Sequence, residues 1–341
     1  MEPKLLSREQ FREAVFARDA HKCVFCDKPA VDAHHVLERR LWSDFGYYLE
    51  NGASVCEEHH LACERTLISV EEVRQACKIT KIVVPDHFYD DHTYDKWGNP
   101  VLENGRRGKG ELFNDESVQK VLKEGGVLHL FTPYVKYPRT NHLPWSPGFH
   151  DDDRIIHDLS AFEGRRVIIT EKADGENSSL YKDHVHARSI DSRGGEDRAW
   201  LKQFWANISY EIPEGWRICG ENMWAEHSIH YSNLPSYFLG FSIWNELNEC
   251  LSWDETLDWF QLLNITPVNV LYDGVWDEKR VRSIDSKLDL QKSEGYVVRL
   301  AEKFSYRQFK SCVAKWVRRG HVNTTRHWRQ GRQFTPNELQ K

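Results

Sequence analysis

The chain has 341 residues, a net charge of −6 and a mean hydropathy of −0.66. This length allows two or three domains of ordinary size, and no apolar run approaches the roughly 18–20 residues that cross a bilayer. With no apolar signal segment in Met1–Arg8, membrane, secreted, collagenous and largely disordered classes are excluded, and a cytoplasmic protein is expected, in the host cytoplasm if viral.

Ser7 and Gln10 have capping-box spacing, and Phe11 and Val15 follow at i, i+4, which predicts a helix over 8–19. Cys23, Cys26, Cys56, Cys63 and Cys77 crowd into the first 77 residues. Such clustering in a reduced compartment reads as metal binding rather than disulfides. Cys23-x-x-Cys26 and Cys56-x-x-His59 are two knuckles that together supply four soft or borderline ligands, the set of a closed structural Zn2+ site.

His34, His35, Asn51 and His60 are left over by that site. On Asp32-Ala33-His34-His35-Val36, the Asn51–Cys56 stretch and His59-His60, the segment resembles the HNH nuclease family in its zinc-knuckle subgroup. The resemblance implies a small ββα-metal module over 1–77. His35 would be general base for a water attacking phosphate, Asn51 would hold the His-bearing loop, and His34 and His60 would bind one catalytic divalent ion. The family's usual Asp before the base is His34 here. A zinc-stapled module that only binds nucleic acid is the alternative.

Residues 78–127 read as a turn-rich connector. Val101-Leu102 between two turns suggests a short hairpin strand, and Asp115–Glu124 a helix ended by Gly125-Gly126. Further on, Arg166–Thr170 has a buried-strand pattern and runs into Glu171-Lys172-Ala173-Asp174-Gly175-Glu176-Asn177. A strand end followed by a glycine turn fixes a lysine in place, and a lysine that loses its proton beside a nucleotide is a nucleophile. From Lys315 to Arg332 the chain carries six basic residues and no acid, so the remainder carries −12. Trp316 and Trp328 are interleaved with them, a composition suited to a polyanion with stackable bases.

After Lys172 come His186-Ala187-Arg188-Ser189, Ile218-Cys219-Gly220-Glu221-Asn222, Tyr237–Trp244, Ser293-Glu294-Gly295, and Lys310 with Lys315-Trp316. In order and spacing these resemble the covalent nucleotidyltransferase superfamily of ligases and capping enzymes, over about residues 128–318. The resemblance implies an α+β fold, an ATP-grasp-like ligase adenylation domain of antiparallel sheets flanked by helices. Lys172 would form the lysyl–AMP bond. Asn177 would match the asparagine linked to end joining, Arg188 a phosphate contact, and Glu221 the ribose carboxylate. Phe241 would be the ring on adenine and Glu294 the metal carboxylate. Lys315, with Lys310 as the other candidate, would serve the α-phosphate.

Only 26 residues follow Lys315, too few for an OB barrel. The expectation is therefore a phage-type, nick-sealing RNA ligase with a basic tail over 319–341. It would use ATP and Mg2+ or Mn2+ to seal 3′-hydroxyl and 5′-phosphate ends of nicked or broken RNA in repair, with end-healing enzymes as partners. The alternatives are an HNH-type endonuclease or a combined nuclease–ligase.

Overall fold

The N-terminal capping box closes. Ser7 Oγ accepts the Gln10 N–H (3.2 Å), Gln10 Oε1 accepts the Ser7 N–H (3.1 Å), and α1 (Arg8–Arg18) follows. The structure, a computed structural model, describes residues 3–89, 92–102, 105–149, 153–190, 195–320 and 334–341. The chain divides into two units, Met1–Val135 and Lys136–Lys341. No described helix is long and apolar enough to cross a membrane.

In the first unit, β1 (Asp32–His35) pairs antiparallel with β2 (Gly52–Val55), and α2 (Glu57–Glu64) follows directly. The local order is ββα, as the resemblance implies. Next come α3 (Val70–Ala76), the two-residue ladder of β3 (Thr93–Tyr94) with β4 (Pro100–Val101), and α4 (Glu116–Glu124), capped by Asp115. The expected hairpin strand is thus shifted by one residue. Residues 78–127 do not form a separate connector. Phe88 and Tyr94 are buried in one apolar cluster with Leu37, Val55 and Val73, so the unit extends to Val135. Its apolar positions are too sparse and aperiodic to announce burial.

The second unit contains β5 (Asn141–His142), β6 (Arg166–Lys172), β7 (Glu176–Leu180), β8 (Val185–Ala187) and α5 (Ala199–Ile208). Then come β9 (Arg217–Asn222), β10 (Phe238–Trp244), β11 (Glu249–Cys250), α6 (Trp253–Leu262), β12 (Thr266–Pro267), β13 (Val270–Val275) and α7 (Glu278–Arg282). Last are β14 (Gly295–Leu300), β15 (Phe304–Ser305), α8 (Phe309–Cys312) and β16 (Val313–Val317). One sheet runs β13-β6-β14-β16-β5, the other β15-β11-β10-β9-β7-β8 with β12 beside β10. Most pairings are antiparallel; β16 with β5 and β10 with β12 are parallel. The mixed α+β architecture of antiparallel sheets and helices is the one expected.

Period 2 decides which side chains meet. Lys172 lies opposite Gly295, and Val297 lies opposite both Thr170 and Lys315. Thr170, Lys172, Val297 and Lys315 therefore share one face. The other face carries Val167, Ile169, Tyr296, Val298 and Trp316, all buried in one apolar cluster. Gly295 cannot be replaced cheaply. Its φ is +155°, and a Cβ there would lie 2.0 Å from the Trp316 carbonyl oxygen.

Arg326, Trp328, Arg329 and Arg332 of the basic segment lie outside the described residues. The last part of the expected tail is packed: Ala225 bridges Pro336, Leu234 bridges Leu339, and Asn337 is 1% exposed.

Candidate nucleotide pocket and metal centres

In the second unit, β6 leaves one sheet at Lys172, turns through Ala173–Gly175, and enters the other sheet as β7. The turn is forced close to its neighbours: a Cβ at Gly175 would lie 2.5 Å from the Asn222 carbonyl oxygen. This corner opens a cavity of about 220 Å3 lined by Lys172, Asn177, Arg188, Glu221, Phe241 and Lys315, among others.

Each comes from a definable place. Asn177 and Glu221 are direct cross-strand partners on β7 and β9. Phe241 sits where the β9–β10 register slips between Gly240 and Ser242, a bulge that re-aims its ring. That ring meets Tyr137 edge-on at 5.2 Å. Arg188 follows the end of β8. Glu294 immediately precedes β14 and accepts from Lys172 Nζ at 2.6 Å. Lys315 lines the cavity and lies 3.7 Å from Asp153. Lys310, the other candidate for the phosphate, is half-buried on α8 and is not among the lining residues.

Burial by itself pushes Lys172 towards the neutral amine, but Glu294, Glu221 and Asp174 outweigh it and hold the ammonium above the ordinary lysine range. Lys172 is thus stored charged, because three carboxylates converge on it, two of them, Glu221 and Glu294, distant in sequence. Lys315 is shifted the other way, first by burial and then by Lys172 and Arg188, against Asp153 and Glu294.

Burial also raises Glu221 to about 8; Lys172 opposes this, and Glu294 and Asp174 add to it. A carboxyl whose folded pKa exceeds its unfolded value holds its proton in the fold after the unfolded chain has lost it. Stability from Glu221 therefore falls as pH rises from about 4.5 to about 8. The expected result is a melting temperature that declines over that window, and a flatter profile for Glu221→Gln.

Residues 165–317 match the RNA ligase family model. The segment is just under half the chain and contains Lys172, Asn177, Arg188, Glu221, Phe241, Glu294, Lys310 and Lys315. Among solved structures, the chain is similar to Naegleria gruberi RNA ligase with PPi, at 18% identity and a TM-score of 0.39, over 55% of this chain and 56% of that one. Mutants of the same ligase are similar too. One, with ATP and Mn, is 15% identical with a TM-score of 0.37, over 55% of this chain and 57% of that one. Another, with AMP and Mn, is 16% identical with a TM-score of 0.38, over 55% and 56%. The matches span about half the length of those structures. No curated protein matches the chain.

In the first unit, the four knuckle residues converge. Cys23 Sγ, Cys26 Sγ and Cys56 Sγ lie 3.4, 3.6 and 3.2 Å from His59 Nδ1, and Cys26 Sγ lies 3.8 Å from Cys56 Sγ. A tetrahedron with Zn–S of about 2.3 Å and Zn–N of about 2.0 Å has edges near 3.8 Å (S to S) and about 3.5 Å (S to N). The donor set therefore fits zinc in both chemistry and size.

A second group faces a cavity of about 280 Å3 that His35, Arg8, Arg12 and Arg39 also line. His34 Nδ1 and His60 Nε2 lie 3.5 and 3.4 Å from Glu64 Oε1, and His60 Nε2 lies 3.3 Å from Asp32. The three donors of His34, His60 and Glu64 fall within 4.8 Å of one another. Asn51, 1% exposed, accepts the Leu37 N–H (2.8 Å) and donates to the Leu37 and Gly46 carbonyls (both 3.1 Å), tying the loop after His35. His35 stacks on Phe11 at 4.7 Å. Burial, helped by Lys96 and Arg39, lowers it to about 3. Such an imidazole stays neutral and is a weak base as it stands.

Sequence reasoning missed Glu64 and Lys96. Glu64 carried a readable signal, since it is four residues after His60 on α2 and so shares its face. Lys96 had none. Its ammonium reaches Glu64 (3.0 Å) and the His35 carbonyl (3.1 Å) from a turn in the supposed connector. Asp95 braces that turn by accepting the Trp97 and Asn99 N–H groups.

Proposed function

We propose that the protein is an ATP-dependent RNA ligase that seals 3′-hydroxyl to 5′-phosphate ends, of the nick-sealing kind, acting in RNA repair. The observation that carries this reading is the cavity shared by Lys172, Lys315, Glu221 and Phe241, with Glu294 hydrogen-bonded to Lys172, within the segment similar to RNA ligases.

Lys172 Nζ attacks the α-phosphorus of ATP. The N–P bond forms, the bond to the β-phosphate oxygen breaks, pyrophosphate leaves and the amine gives up its proton. AMP then passes from Lys172 to the RNA 5′-phosphate. The RNA 3′-hydroxyl attacks that phosphorus, AMP leaves and the strand is joined. Lys315 and Arg188 neutralise oxygens on the transferred phosphate, and Phe241 packs on the purine. Several acids around one lysine suit a divalent cation, Mg2+ or Mn2+, with Glu294 its holder. Held there, such an ion would supply charge neutralisation at phosphate.

A second reading concerns the first unit, and the cluster of His34, His60 and Glu64 beside His35 favours it. There the unit hydrolyses phosphodiesters with a divalent ion on those three donors, held together by a structural zinc. The RNA would then be cut and resealed by one chain.

One experiment scores both readings. A labelled RNA duplex, nicked or intact, is incubated with ATP and Mg2+. Sealing that is lost in Glu294→Ala and kept in His34→Ala supports the ligase. New cuts that follow the opposite pattern support the hydrolase. Sealing unchanged in Glu294→Ala contradicts the main reading.

A further inference from the structure

The Lys172 turn is gripped from a direction that the ligase motifs do not describe. Asp174 Oδ2 accepts the Ser228 N–H (2.8 Å), the Ser228 hydroxyl (2.6 Å) and the Ile229 N–H (2.9 Å). The Asp174 N–H donates to Tyr231 Oη (3.1 Å). The loop over 224–234 that makes these bonds has no helix or strand of its own. Something else must hold it in one conformation.

Residues 335–340 do so. The Glu226 N–H donates to the Thr335 carbonyl (2.8 Å), the Asn337 N–H to the Trp224 carbonyl (2.8 Å), and the Glu338 N–H to the Tyr231 carbonyl (2.8 Å). The Leu234 N–H reaches Glu338 and the Gln340 N–H reaches Leu234, both at 2.9 Å. Asn337 is the hub. Its Nδ2 donates to the Met223 carbonyl (2.7 Å) and the Ala225 carbonyl (3.3 Å), and its Oδ1 accepts the Tyr231 N–H (2.8 Å). Its own carbonyl accepts from the Tyr237 hydroxyl (2.7 Å). A buried amide with every group partnered specifies one arrangement.

We infer that residues 334–341 are a strap that closes the 224–234 loop over the Lys172–Gly175 turn, and that Asn337 is a positioning residue for nucleotide transfer. The inference rests on the ligase reading. Asn337 touches no reacting atom. It acts through Tyr231, Ser228 and Asp174 on the placement of Lys172, where small displacements are costly in rate.

The test uses the full chain and α-labelled ATP with Mg2+ in single turnover. Asn337→Ala lowers the rate of label transfer at saturating ATP by about 10-fold or more, while the ATP concentration for half-saturation stays within about 3-fold and the melting temperature stays near that of the wild type. Tyr231→Phe keeps the ring but loses the acceptor for the Asp174 N–H, and gives the same signature should Asn337→Ala not fold. Adding Asn337→Ala to Asp174→Ala costs nothing further, because both cut one chain of contacts. Hydrogen exchange of the peptide carrying residues 173–176 speeds up in Asn337→Ala. A wild-type rate, a multiplicative double variant or unchanged exchange overturns the strap. Exchange is read without ATP, so a wild type that takes no label overturns the ligase reading and leaves the strap to be judged on exchange.

Discussion

Lys172→Met takes no label from α-labelled ATP, whatever the pH or the divalent ion supplied. Methionine fills much the same space but has no lone pair that can displace pyrophosphate. Other groups in the pocket do not substitute. Lys315 lies two strands away on β16, beside Asp153, and the guanidinium of Arg188 stays protonated. The variant keeps its fold, because the cluster buried on the other face of β6 is untouched. Wild-type label transfer rises with pH, since Glu294, Glu221 and Asp174 store the amine as an ammonium that must lose its proton to react. Transfer of label by a folded Lys172→Met protein contradicts the mechanism. The measurement is a gel of labelled protein beside a melting curve.

The second large effect concerns zinc. Removing the metal with a chelator, or replacing Cys56 by Ser, unfolds the first unit. Its β1–β2 pair has four residues per strand, and the apolar cluster is built around Cys23 and Cys56 themselves. Structural zinc contributes on the order of 10 kcal/mol in small domains of this kind, which is as large as a typical domain's whole stability. Elemental analysis is expected to find one zinc per chain in the wild type and none in Cys56→Ser. Label transfer to Lys172 persists in both preparations, because every lining residue of that cavity lies within Lys136–Lys341. A first unit that stays folded without zinc, judged by near-ultraviolet dichroism, contradicts the structural role given to the site.

Much of the pocket was legible because its residues sit at strand ends, where a sequence announces itself. The run Arg166–Thr170 before Lys172 and the glycine after Glu294 are local signals, and antiparallel pairing with period 2 does the rest. The knuckles were legible for a similar reason, since short spacing fixes ligand geometry. What escaped depended on contacts between distant segments. The charge of Lys172 is set by Glu221 and Glu294, far along the chain. Phe88, Tyr94 and Lys96 looked like connector because turn-rich segments hide their burial. Asn337 looked like tail because one buried amide in a polar stretch has no periodicity. Of Lys310 and Lys315, only Lys315 lines the cavity, because β16 sets it opposite Val297, a direction that the sequence alone does not show.

The most direct measurement maps the nucleotide itself. Wild-type protein is incubated with ATP and Mg2+, digested, and its peptides sequenced by mass spectrometry. The account predicts one peptide heavier by an adenylate, with the added mass on the Lys172 side chain and acid-labile as an N–P bond should be. Adenylate found on another residue, or none on any peptide of a folded protein, contradicts it.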